Sequence, residues 1–280
     1  MSATVLAAIL FAALLHAAWN AALKSRGSTF LAALAVMSGA AVIGALALPF
    51  LHPPAPASWP FIGASILLHI VYYSLLAAAY RHADIGHAYP LMRGVAPVLV
   101  ALASIFLADE RLHPAQWGAI ALICAGGAAL TLGARGHASG GVRPTVLILL
   151  TAVVIAAYTL VDGLGVRRSG TPPGYTAWVF VLSGVGIAAV SWRATAGQLP
   201  AFMARNPALP LLGGLATTAS YGLALWAMTQ APVAVVAALR ETSIVFATAI
   251  AVFVLRERAT PARLLGSALV ALGAVAVRLA

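Results

Sequence analysis

Charge of either sign is scarce in this chain, and the scarcity decides its class. Of 280 residues only 8% are Asp, Glu, Lys or Arg, against about 25% in a soluble domain, while 62% are hydrophobic. A water-soluble globular fold is excluded. Cysteine is scarcer still. Cys124 stands alone in an apolar run, so neither an intramolecular disulfide nor a cysteine-based metal site can form. Catalytic signatures are missing too: there is no His-Glu-x-x-His, no Gly-x-Ser-x-Gly, no phosphate-cradling glycine loop and no clustered acidic pair for a divalent metal. The chain is not expected to be an enzyme or to hold a cofactor or metal. The net charge of +10 is spread through short loops, which points to membrane orientation and not to nucleic-acid binding.

What the sequence has in abundance is apolar runs of about twenty residues, rich in Ala and Leu, the length that crosses a ~30 Å hydrocarbon layer as a helix. A membrane β-barrel would instead show short alternating segments. Ten spans are expected, over 3–23, 29–50, 59–80, 87–108, 115–133, 144–165, 174–193, 208–229, 231–255 and 261–279. The first is read as a membrane helix and not as a cleaved signal, because no basic stretch precedes it. Connections are short and carry breakers such as His52-Pro53-Pro54 and Thr171-Pro172-Pro173-Gly174. Trp59, Trp117 and Trp192 fall at span ends, where interfacial anchors sit. Ten of the 16 Lys and Arg residues fall in loops after odd-numbered spans, from Lys24 and Arg26 to Arg263. That excess places those loops in the cytoplasm and both termini outside.

The chain repeats itself. A shift of 147 residues carries Arg93 onto Arg240, Phe106 onto Phe253, Glu110-Arg111 onto Glu257-Arg258, Pro114-Ala115 onto Pro261-Ala262 and Gly126 onto Gly273. Five spans per repeat is an odd number, so the halves, 1–138 and 139–280, are expected to have opposite orientations in the membrane. Inverted repeats are a signature of secondary transporters, with the site near mid-membrane at the repeat interface.

Ionisable residues inside spans mark that site. Arg240 and Glu241 lie about 14 Å inside the ninth span, where a charge costs several kcal/mol unless it faces protein or water. Arg93 is the repeat mate of Arg240 and shares a helix face with Tyr89. His16 and Asn20 share a face of span 1 with Trp19 beside them, and Lys24 continues the stripe toward the interface. In span 3 His69 and Tyr73 share a face with Tyr72 close by. Tyr158 and Asp162 do so in span 6, and Tyr221 and Trp226 lie on different faces of span 8. Each has a plain structural alternative. Arg240 pairs with Glu241 or Asp162 to fix helix packing, or Asp162 is an interfacial carboxylate paired with Arg167. Spans 5 and 10 carry small-residue stripes, with Gly126 seven residues from Ala119 and Gly133 and Gly266 seven from Gly273. They read as packing elements or as a homo-oligomer contact.

Taken together, His16-Ala17-Ala18-Trp19-Asn20-Ala21-Ala22-Leu23-Lys24, Tyr158-Thr159-Leu160-Val161-Asp162-Gly163 and the Glu-Arg-x-x-Pro segment closing each half resemble the EamA-type ten-span carriers of the drug/metabolite transporter superfamily. The resemblance covers the whole chain. It implies a cavity lined by spans 1–4 and 6–9, with spans 5 and 10 peripheral, and a location in the bacterial inner membrane. It also implies export of amino acids or related metabolites, the aromatic amino-acid branch being the expected one.

The expected function is therefore a secondary carrier of a small amphipathic metabolite. For a zwitterion, Arg240 or Arg93 suits the carboxylate, Glu241 or Asp162 the ammonium, and Trp19, Tyr72, Tyr73 and Trp226 the apolar body. Glu241, Asp162 and His16 are the candidates for proton coupling, and uncoupled movement fits equally. The alternatives are a drug or phosphonate permease of the same superfamily and, in a different class, an intramembrane enzyme, for which Ser243 beside Glu241 is the nearest nucleophile.

Overall fold

Backbone amides and carbonyls buried in hydrocarbon must be satisfied within their own segment, and Ala/Leu runs do this by coiling into helices. The computed structural model describes residues 1–24, 29–80, 85–133, 142–195, 197–254, 256–257 and 260–279, with the backbone alone at 22–24, 29, 80, 85–90, 131–133 and 194. Among these residues there is no strand. The helices are α1 (Ala3–Lys24), α2 (Thr29–Ala47), α3 (Trp59–Tyr80), α4 (Ile85–Leu107), α5 (Pro114–Gly133), α6 (Val142–Ser169), α7 (Pro172–Thr195), α8 (Gln198–Arg205), α9 (Gly214–Met228), α10 (Val233–Leu239), α11 (Ser243–Ala249) and α12 (Pro261–Leu279). Eight stretches are long and apolar enough to cross a membrane, and two shorter apolar helices, Leu91–Leu107 and Pro114–Leu130, complete a ten-span bundle. Proline opens α5, α7 and α12, where its missing N–H is lost to no helical bond.

Three features depart from the sequence reading. Helix α6 runs on to Ser169, one turn past the expected end, which sets Asp162 deeper than its spacing suggested. An unforeseen short helix, α8, packs Leu199, Phe202 and Met203 beside Trp19 on the Ala32–Val36 face of α2. The ninth span is not one helix: α10 gives way to a 3₁₀ turn at Arg240–Thr242, then α11, then a π turn at Ile250–Val254. A mid-span change of helix type leaves carbonyls that need new donors, and the Thr242 hydroxyl donates to the Leu239 carbonyl at 2.7 Å.

Packing follows a pattern. α3 lies on α6 as α1 lies on α9, α4 on α6 as α1 on α11, and α3 on α7 as α2 on α9, while α2 meets α7 and α5 meets α12. Exchanging each helix of the first half for its counterpart in the second returns the same set of pairs. The chain also turns alike at 147-residue spacing. Asp109 (φ 50°) and Arg256 (φ 55°) both enter the left-handed region. The next N–H bonds back in each case, Glu110 to the Ser104 carbonyl at 3.2 Å and Glu257 to the Ala251 carbonyl at 2.9 Å.

The small-residue stripes of α5 and α12 meet each other inside one chain. A Cβ on Gly126 would sit 2.6 Å from the Gly266 carbonyl oxygen, and one on Gly266 2.7 Å from that of Gly126. These glycines are thus consumed by intramolecular packing, and the expected oligomer contact does not have them at its disposal. Gly126→Ala is expected to lower stability by about 1–3 kcal/mol, since the added methyl meets backbone that cannot swing aside. Gly118→Ala on the same helix, where a Cβ meets nothing within 4 Å, is the neutral control. Thermal unfolding of the detergent-purified variants checks this, and equal midpoints would contradict the close α5–α12 contact.

Candidate functional site

The deep charges of the two halves find each other. Arg93 of α4 grips Glu241 with two nitrogens, Nη2 to Oε1 at 2.8 Å and Nε to Oε2 at 3.2 Å. Both side chains are almost wholly enclosed, at 11% and 5% exposure. The carboxylate lies along one edge of the guanidinium, with the hydrogen bond made by the Nε–H and Nη2 in ion-pair contact, and so close a pair offsets part of the cost of leaving water. The 3₁₀ turn at Arg240–Thr242 sets the directions in which adjacent Arg240 and Glu241 leave the backbone. Glu241 takes Arg93, while the Arg240 guanidinium lies over the Tyr221 ring, its Cζ 5.3 Å from the centroid.

A cleft opens beside them, lined by Arg93, Ala96, Pro97 and Val100 of α4, Ile155, Tyr158 and Thr159 of α6, and Ala237, Arg240 and Glu241 of the ninth span. The cleft is narrow in this conformation, with about 20 Å³ of space for the centre of a water. Small-molecule pockets span roughly 300–1,000 Å³, so a metabolite needs it to widen. An aromatic group continues from its wall. Tyr158 stacks on His69 at 4.6 Å and meets Tyr72 edge-on at 5.7 Å, and Tyr72 meets Tyr73 at 5.1 Å.

Asp162 is fully buried behind this wall. It accepts hydrogen bonds from the hydroxyls of Tyr175, at 2.9 Å, and Tyr221. Its pairing with Arg167, one alternative of the sequence reading, does not occur. The longer α6 carries Arg167 to the bundle end, where its Nη2 meets Glu110 at 2.8 Å. Tyr175 reaches Asp162 because Gly165 leaves room for its ring. Tyr221 therefore does two things, holding Asp162 with its hydroxyl and Arg240 with its ring face.

The remaining expected residues are placed as follows. His16 is within electrostatic reach of Arg93 and Arg240 and meets Trp19 edge-on at 5.4 Å. Trp19 packs in the α2 and α8 cluster and does not line the cleft. Asn20 turns back to the His16 carbonyl at 2.7 Å. Trp226 packs on the main apolar core, also away from the cleft. The side chains of Tyr89 and Lys24 lie outside the described residues. Among the described residues no cluster of three or more His, Cys, Asp or Glu has the form of a metal site.

A second constellation was not read from the sequence as a site, although Glu110 is one of the repeat markers. At one end of the bundle Glu110 accepts the first N–H groups of α10, from Val233 at 2.7 Å and Ala234 at 3.3 Å. Arg167 joins that carboxylate to the carbonyls of Met228, at 2.8 Å, and Ala231, at 3.0 Å. A carboxylate at a helix N-terminus satisfies orphan donors and favours the helix dipole. One carboxylate thereby ties the ends of α4, α6, α9 and α10.

Residues 143–279 match the model of the EamA-like transporter family. That match covers just under half of the chain. Residues 30–123 also match the Small Multidrug Resistance protein model, and both matches are consistent with the drug/metabolite transporter superfamily. None of the curated proteins compared with it matches. One solved structure, described only as a crystal structure of a protein, is 22% identical over 100% of this chain and 98% of its own, with a TM-score of 0.73. At that identity the likeness is one of fold.

The buried pair yields a prediction in free energy. Removing one partner leaves an uncompensated buried charge, so Glu241→Met or Arg93→Met is expected to cost roughly 3–5 kcal/mol. The double variant Arg93→Met with Glu241→Met recovers most of it, since two apolar side chains replace two paired charges. Unfolding midpoints of the three proteins test the coupling, and additive losses would mean that the two groups do not sense each other.

Proposed function

We propose that this membrane protein exports small amphipathic metabolites, above all aromatic or neutral amino acids, across the bacterial inner membrane by alternating access. The observation that carries the reading is the cleft itself, a narrow mid-bundle space that rocking of the bundle would widen. One wall holds Arg240 and the Arg93–Glu241 pair, and the other holds Tyr158. Its walls come from α4, α6 and the ninth span, so residues of both 1–138 and 139–280 face one ligand. We take these two segments as inverted halves that rock about the cleft. The helix pairs that interchange between halves, and the like turns at Asp109 and Arg256, support the division.

Rocking needs an end that closes and opens. The Glu110 tie is suited to that work, because displacing one side chain frees the start of α10 and unlinks it from Arg167 at the end of α6. It lies about 10 Å from Arg240, the seven residues from Val233 at 1.5 Å each. The charge distribution of the loops puts this end outside. A second reading, export of a drug, has a specific support in the match of residues 30–123 to the Small Multidrug Resistance protein model.

Solute counterflow decides between the readings. Proteoliposomes of the purified protein are loaded with phenylalanine, threonine, methionine, a quaternary-ammonium drug or an alkyl phosphonate, and entry of labelled phenylalanine is followed. Stimulation by the amino acids is expected. Entry of the labelled drug or phosphonate, with none of phenylalanine, would replace the amino-acid reading.

For the tie, a cysteine at Thr159 in a Cys124→Ser background reports access to the cleft. Glu110→Gln is expected to raise its labelling by an impermeant maleimide, added on the side that holds Glu110, about tenfold or more, as loss of charged hydrogen bonds of ~1.5–3 kcal/mol implies. Unchanged labelling would remove Glu110 from gating.

A further inference from the structure

The charges around the cleft are not all free to meet a ligand. Glu241 is occupied by two nitrogens of Arg93. Asp162 has no exposure and is held by two tyrosine hydroxyls behind the wall, off the cleft lining. Arg240 is the remaining charge on the lining. Among the described residues it meets no carboxylate, and its contact is the face of Tyr221, which leaves the donor edge of the guanidinium available. The lining therefore carries Arg93, Glu241 and Arg240, an excess of one positive charge, with the acid already spent on an internal pair.

We infer that the transported species is anchored by an anionic group, a carboxylate, on Arg240 alone, and that no cationic group is required of it. The inference rests on the cleft being the substrate site. It narrows the ligand from amphipathic metabolites in general to organic carboxylates with an apolar or aromatic body, of which amino acids are one subset. Three physical points lead there. A guanidinium in a site with little water gains far more from a carboxylate than it does in solution, and its planar fork matches that anion bidentately. A ligand ammonium would have to displace Arg93 from Glu241, exchanging a two-pronged pair for a single point charge. It would also approach Arg240 with like charge, so cations are disfavoured twice over. Beside Arg240, the part of the Tyr158 ring that lines the cleft and the aliphatic wall of Ala96, Val100, Ile155 and Ala237 suit a ring or an alkyl chain.

Three ligands that differ only in charged groups test this: phenylalanine (carboxylate and ammonium), 3-phenylpropionate (carboxylate alone) and phenethylamine (ammonium alone). Each is labelled and its own exchange is measured in proteoliposomes. Exchange of 3-phenylpropionate within about fivefold of phenylalanine, with none of phenethylamine, is the expected result. Arg240→Gln should lower 3-phenylpropionate exchange roughly tenfold or more, and Arg240→Lys should retain part of it. Exchange of phenylalanine without 3-phenylpropionate overturns the carboxylate-only anchor and leaves the amino-acid reading standing. Exchange of 3-phenylpropionate without phenylalanine supports the anchor and removes the amino-acid reading. Exchange of phenethylamine, or failure of 3-phenylpropionate to exchange, overturns the inference whatever phenylalanine does. The comparison of the three ligands uses the wild-type protein, so it holds even where an Arg240 variant fails to fold.

Discussion

Two opposite charges held 2.8 Å apart in the middle of an apolar bundle form the constraint to which the rest of this protein is fitted. Neither Arg93 nor Glu241 can be enclosed alone, since an unpaired ion in hydrocarbon costs several kcal/mol. Their helices, α4 and the ninth span, must therefore come together at one depth and in one rotation. Apolar packing between Ala- and Leu-rich helices gives little preference of that kind, because lipid tails are as apolar as leucine. The pair thus fixes register where the surrounding side chains cannot, and the local 3₁₀ turn is the backbone's answer to placing Glu241 toward Arg93 while Arg240 leaves in another direction.

Tyr221 links this pair to a second, quieter network. Its hydroxyl belongs to Asp162, with Tyr175, and its ring belongs to Arg240. Anything that shifts Arg240 therefore presses on the one aromatic ring that also satisfies a fully buried carboxylate. The cleft and the polar core behind it are joined through Tyr221 and, by way of Tyr158, through His69.

The class of the protein was readable from composition, and the spans from the length of the apolar runs, because the hydrocarbon thickness sets both. The recurrence of Arg93 at Arg240 and of Glu110 at Glu257 was visible because both pairs stand at one fixed spacing. What the sequence concealed was how charges divide into pairs. Arg240 and Glu241 are neighbours, and only the turn between α10 and α11 sends one to Tyr221 and the other to Arg93. Asp162 looked close to Arg167 because α6 ends a turn later than its hydropathy suggests. Tyr175 gave no signal, since its role depends on the space left by Gly165 on another helix. Trp19 shares a stripe with His16, yet the neighbouring α8, invisible to a search for long apolar runs, draws it into a different cluster.

The left-handed residues at Asp109 and Arg256 have a consequence for stability. Neither is glycine, and the two side chains carry opposite charges, so what these positions share is a backbone conformation and not a chemistry. A non-glycine residue in that region costs about 1–2 kcal/mol. The N–H that follows each of them bonds back to the preceding span and offsets part of that cost. Glycine at position 109 would relieve the strain, and it would also loosen the corner that aims the Glu110 carboxylate at the first N–H groups of α10.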